Sequence, residues 1–175
     1  MNLPLLLIAM SVLAACGGDG RVPVRQQATP PASDTLVKEN RDAVKLEQHD
    51  IDLYAKRTGL GLKSTGTGIR YLLVRDSAGP QAKPDQWAKV NYTVHLLNGD
   101  SAYASAPGKP ESFMVEMDQV ESGLHEAIQL LSAGDSAVIV IPSYRAHGLI
   151  GDQQRIPMRS TIVYHLGVVG VSYKP

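Results

Sequence analysis

The residue types able to do chemistry in this 175-residue chain are spaced so that most chemistry is excluded. His95, His125, His147 and His165 lack the i, i+4 spacing that sets two imidazoles on one helical face for zinc. Cys16 is the single cysteine, so an internal disulfide is impossible, and no cysteine–histidine cluster accompanies it. No G-x-S-x-G elbow and no Walker loop occurs, and Gly66-Thr67-Gly68 reads as a short turn rather than a phosphate cradle. Seventeen basic and seventeen acidic side chains cancel, without the basic stripe that would displace counterions from phosphates, so nucleic acid is not an expected partner. Neither a metal nor a cofactor is expected. What remains is a pocket that acts by shape and hydrogen bonding, or a site that only binds.

A pocket needs walls, and the chain is long enough for one domain with appendages. After Gly59-Leu60-Gly61 the apolar residues recur with period two. Segments 69–74, 88–97, 113–117, 137–141 and 161–171 read as strands rich in Val, Ile and Tyr, separated by Gly, Pro, Asn and Asp. Between them, 120–131 places Leu124, Ile128 and Leu131 on one helical face and is closed by Gly134. One short helix against an antiparallel sheet predicts an α+β domain over residues 62–172. Ahead of it, 34–58 contains neither Gly nor Pro and aligns Val37, Val44, Ile51 and Tyr54 on one face, with Ser33 or Asp34 as cap and Gly59 as stop. This helix is expected to lie on the domain; pairing with a second copy is the alternative.

Residues 16–33 are rich in Gly, Pro, Gln, Ala and Ser with few large apolar side chains, and predict a flexible tether. Residues 1–15 form an uncharged apolar run that ends in small side chains, as a cleaved targeting segment does. Leu13-Ala14-Ala15-Cys16 resembles the bacterial lipobox, which implies a lipid on the Cys16 sulfur, a membrane anchor and a domain facing the periplasm. Gly17 and Gly18 lack the aspartate that, by resemblance to enteric bacteria, retains a lipoprotein in the inner membrane, so the outer membrane is expected. An ordinary secretory signal with an incidental cysteine is the alternative.

Within the domain, Val90-Asn91-Tyr92-Thr93, Leu97-Asn98-Gly99, Val120-Glu121-Ser122-Gly123-Leu124, Leu130-Leu131-Ser132-Ala133-Gly134-Asp135, Ile141-Pro142-Ser143, Ala146-His147-Gly148 and Ile156-Pro157 follow in sequence. In order and spacing, over residues 88–171, they resemble the FKBP-type peptidyl-prolyl cis-trans isomerases, and the lipobox, tether and helix resemble membrane-anchored bacterial members of that family. The resemblance implies a five- or six-stranded antiparallel sheet curled around the helix at 121–131, with an apolar pocket between them. It also implies activity on X-Pro bonds of unfolded or extended polypeptides, assisting the folding of exported proteins. It names no oligomeric partner.

Site residues follow from the same resemblance. Tyr92 takes the place of the family's wall tyrosine and Tyr164 the aromatic place on the last strand, while His147 stands where a tyrosine hydroxyl normally donates to a substrate carbonyl. Phe113, Val120 and Ile156 match apolar pocket positions, and Leu124 matches the pocket floor. Three positions depart from the pattern. Ala102 lies where a large apolar residue is usual, Tyr103 where an aspartate is usual, and Glu121 where an isoleucine usually offers its backbone N–H. These departures, with His147, support a rival: a binding or chaperone-like module that grips proline-containing segments without catalysis. Service as a structural part of an envelope machine is a third possibility.

Prolyl rotation suits a site without nucleophile or metal. The barrier, ~18–20 kcal/mol, arises from lost amide resonance, and no bond is made or broken. A dry pocket that holds the twisted amide better than either planar form, with one or two donors to a carbonyl, is sufficient.

Overall fold

The computed structural model describes residues 34–174. The signal segment 1–15, Cys16 and the tether 16–33 lie outside the described residues. The described residues open with helix α1 (Asp34–Thr58), followed by strands β1 (Lys63–Ser64), β2 (Arg70–Arg75), β3 (Trp87–Leu96), β4 (Ser101–Ala104) and β5 (Glu111–Met114). Helix α2 (Ser122–Ile128), strand β6 (Ser136–Ile141), a 3-10 turn (Ser143–Arg145) and strand β7 (Ile162–Ser172) complete it.

The strands form one antiparallel sheet in the order β1-β2-β6-β7-β3-β4, with β5 also paired to β3. The α+β class with one short helix against a curled antiparallel sheet is therefore as expected, but the sheet has seven strands rather than five or six. The additional ones are β1, of two residues, and β4, whose Ser-Ala-Tyr-Ala sequence lacks the β-branched and large aliphatic residues that mark the others. β3 is the organising strand. It pairs with β7 from Trp87↔Ser172 to Leu96↔Ile162, with β4 along one half of its other edge and with β5 along the remaining half.

β6 explains why an uninterrupted apolar run is needed at its position. Ala137, Ile139 and Ile141 face the core shared with α2, while Val138 and Val140 belong to a second cluster with Ile51 of α1 and Val163 of β7. Both faces of the strand are covered, so alternation with polar residues would leave polar atoms buried without partners. α1 thus lies on the domain. Ile51 is fully buried there, an apolar anchor that contributes about 1.5–3 kcal/mol by area burial. The second half of α1 is docked by side-chain bonds, from Glu47 to Arg57; Val37 and Val44, on the predicted stripe, are exposed.

α2 is shorter than the predicted 121–131. It ends at Ile128, and Leu130 and Leu131 donate to Ala127 and Ile128 in tight turns that still bury Leu131. Gly123 is required by close approach: a Cβ there would lie 2.3 Å from Ile141 Cγ2 of β6. Glu121 sits at the N-cap position yet makes no capping bond with its side chain, which is engaged elsewhere. No helix among the described residues is long and apolar enough to cross a membrane.

Candidate active site

Between α2 and the concave face of the sheet lies a cavity of about 770 Å³, closed on its third side by the 142–161 connection between β6 and β7. Its floor is apolar. Val90 and Val94 of β3, Phe113 of β5, Leu124 of α2, Leu166 of β7 and Ile156 of the connection all line it and are buried. Each comes from the inward-facing register of its element, which is why the fold itself makes this surface dry.

The rim is polar and is organised as three phenol–carboxylate pairs. Tyr92 donates from its hydroxyl to Glu111 Oε2 at 3.0 Å. Tyr164, 6% exposed, donates to both oxygens of Glu121 at 3.1 Å. Tyr103 donates to the Asp152 carboxylate. The Tyr92 and Tyr164 rings stand 5.9 Å apart at 56°, forming one tilted aromatic wall. His147 brings Nε2 to 2.9 Å from Glu121 Oε1, within ion-pair reach if the ring is protonated, but the approach is off the hydrogen-bonding direction.

These pairs fix protonation states. Burial first, and then the hydrogen bond and charge of Glu111, push the Tyr92 hydroxyl up to about 12. Burial and the Glu121 charge drive Tyr164 further upward. The bond to Asp152 raises Tyr103. Burial alone would raise the Asp152 carboxyl, but the Tyr103 hydroxyl and the amides of Gln154, Ile156 and Arg155 outweigh it and hold it well below the usual carboxylate range. At neutral pH the phenols are therefore donors and Asp152 is an anion.

Of the residues singled out in the sequence, Tyr92, Tyr103, Phe113, Val120, Glu121, Leu124, His147, Ile156 and Tyr164 all line the one cavity. Ala102 does not, a correction to its place among the substrate-binding residues. Its methyl group, 2% exposed, ends in the core, and the cavity wall beside it is made by the Tyr103 ring. Arg155 covers that ring at 5.3 Å and donates to the Ala102 carbonyl at 2.8 Å. Cys16 lies outside the described residues.

Sequence reasoning missed Glu111 and Asp152. The missing strand aspartate at position 103 is replaced by a carboxylate from the 142–161 connection, so the charge stands in the cavity wall but enters from another element. A signal existed in Gly151-Asp152, since an aspartate after a glycine turn readily caps the amides that follow it. His125 is purely structural: Glu116 N–H donates to its Nδ1 at 2.9 Å, its Nε2 lies 3.0 Å from the Asp118 carbonyl, and its ring edges Phe113 at 5.8 Å.

An apolar floor, an aromatic wall and a polar rim make a cavity whose shape suits an apolar ring beside a polar group. The comparisons give this class its family. The chain belongs to the FKBP-type peptidyl-prolyl cis-trans isomerases, whose family model matches residues 79–169. It is 32% identical over 114 residues to the probable FKBP-type peptidyl-prolyl cis-trans isomerase FkpA of Neisseria meningitidis serogroup B, covering 63% of this chain and 40% of that protein. The chain spans about half the length of the curated relatives it matches. Among solved structures, FkpA of Escherichia coli aligns with a TM-score of 0.65 and 29% identity over 79% of this chain and 65% of that one. A peptidyl-prolyl cis-trans isomerase of Pseudomonas syringae pv. tomato aligns with a TM-score of 0.65 and 26% identity, covering 75% of this chain and 95% of that one.

Proposed function

We propose that this chain catalyses cis–trans isomerisation of X-Pro bonds in unfolded or extended polypeptides. The observation that carries it is the cavity: an apolar floor with room for a proline ring, bordered by the Tyr92, Tyr103 and Tyr164 phenols. The floor removes water from the amide, which favours the less polar twisted state. Each rim phenol has a single O–H, donated here to Glu111, Glu121 or Asp152, so a phenol meets a substrate carbonyl as resonance is lost only by exchanging that carboxylate for it. Family membership supports the same reaction. The place of action is the cell envelope, with the chain held through a lipid on Cys16, facing the periplasm from the outer membrane, and its clients exported proteins; the lipobox-like Leu13-Ala14-Ala15-Cys16 supports this.

Refolding of a protein limited by one prolyl bond, normally tens to hundreds of seconds, tests the activity. Acceleration proportional to the concentration of the chain is expected. An unchanged rate with a folded sample contradicts it. A second proposal, binding without catalysis, draws on Glu121: its carboxylate occupies the Tyr164 hydroxyl and projects into the space between Tyr164 and His147. Glu121→Ile separates the two, because a gain of activity from an inactive parent identifies the carboxylate as an obstruction. An active parent whose rate is little changed identifies it as a bystander.

A further inference from the structure

The 142–161 connection carries His147, Asp152 and Ile156 into the cavity, yet much of its middle stands in solvent. Leu149, Ile150 and Met158 on it are 63%, 67% and 69% exposed. Its own backbone closes only locally, with Asp152 N–H donating to Ile156 and Arg159 N–H to Gly148. Its middle is tied to the domain by Tyr103 on Asp152 and by Arg155 on the Ala102 carbonyl, and its placement depends besides on how its ends are held.

Both ends meet one carboxylate from outside the domain. The last ladder pair of β6 and β7 is Ile141↔Ile162. Just beyond it, Glu47 of α1 accepts from Ser143 N–H at 2.6 Å and from the Ser143 hydroxyl at 3.0 Å. It also accepts from the Thr161 hydroxyl at 2.6 Å. Ser143 and Thr161 are buried, so these donors have little access to water as a substitute partner. The adjacent residue, Gln48, donates to Gly68 and to the Tyr144 hydroxyl, keeping α1 in register with the 3-10 turn.

We propose that Glu47 is a positioning residue for the cavity. From α1 its carboxylate ties the two ends of the 142–161 connection together and thereby sets where His147, Asp152 and Ile156 stand in the wall. The kinetic part of the proposal rests on the isomerase assignment; the structural part does not. α1 is then a working part of the site rather than a spacer between tether and domain.

The test uses the full chain and Glu47→Gln, which keeps volume but replaces one acceptor oxygen by an amide that donates. Amide hydrogen exchange over 146–160 is expected to speed by about fivefold or more while β3 and β7 amides hold. The ratio kcat/KM is expected to fall by about three- to tenfold, mainly in kcat, because the apolar floor that binds the ring is untouched. Thr161→Val, which removes one of the bonds at unchanged volume, gives a smaller change of the same kind and serves if Glu47→Gln does not fold. Asp52→Ala, which removes the separate contact of α1 with Arg70, is expected to leave both readouts within about twofold of the parent. Unchanged exchange over 146–160 in Glu47→Gln and Thr161→Val, or equal changes in Asp52→Ala, overturns the proposal. If the parent chain does not catalyse, the isomerase assignment fails and the exchange comparison alone decides the clamp.

Discussion

The floor of the cavity and its rim obey different rules, and the contrast shows which parts of a site a fold supplies unaided. Floor side chains such as Val90, Val94 and Leu124 are where strand and helix periods put them, and they pack into the same core that stabilises the domain. Rim side chains are held by partners 19, 43 and 49 residues away in Tyr92–Glu111, Tyr164–Glu121 and Tyr103–Asp152. The floor is therefore common to stability and function, whereas the rim is open to substitution as long as each phenol finds an acceptor. This chain has used that freedom: the acid expected on β4 is a tyrosine, and the acid itself comes from the 142–161 connection.

Changes to the floor should damage folding first. Leu124→Ala opens a hole between α2 and the sheet and is expected to cost about 2–5 kcal/mol, read as a lowered denaturant midpoint. A loss below about 1 kcal/mol would mean that the floor is not a shared core, and the contrast would collapse.

Changes to the rim should cost less stability and more activity. Tyr164→Phe keeps the ring but removes the donor to the half-buried Glu121 carboxylate, and about 1–3 kcal/mol of stability is expected to go. The ratio kcat/KM should fall further than that of a floor variant of equal stability. Equal losses in both readouts would erase the distinction.

The smallest expected effect is an acid dependence from Asp152. Its carboxyl is depressed in the folded chain, so its contribution is complete above the unfolded value near 3.8 and is lost as pH falls through the lower folded value. The stability difference between the parent and Asp152→Asn should hold above about pH 5 and shrink below pH 4, measured by denaturation across that range. A difference that stays constant down to pH 2 contradicts the Tyr103–Asp152 pairing.

The same contrast governs what was legible in the sequence. Period two across β3 and β7 and the spacing of Leu124, Ile128 and Leu131 located the floor, because burial is written into periodicity. β4 escaped since Ser101-Ala102-Tyr103-Ala104 holds no β-branched or large aliphatic residue to mark a strand, and with it went the true position of Ala102, whose inward methyl looks like any other small residue. Glu111 and Asp152 escaped for a different reason. A surface carboxylate and one that accepts from a pocket phenol have the same sequence neighbourhood, and only the tertiary fold brings Asp152 to Tyr103. Glu47 is the extreme case, since a charged residue on an amphipathic helix reads as solvated until its three donors are seen.

The central claim is that the cavity lowers the barrier to prolyl rotation rather than merely holding a prolyl segment. Exchange spectroscopy on the cis and trans resonances of a short Leu-Pro peptide measures that rotation directly, without a coupled protease or a refolding client. Added in catalytic amounts, the full chain is predicted to raise the cis–trans exchange rate in proportion to its concentration while leaving the equilibrium ratio unchanged. Peptide resonances that shift on titration while exchange stays at the spontaneous rate would contradict the account and leave a binding site in its place.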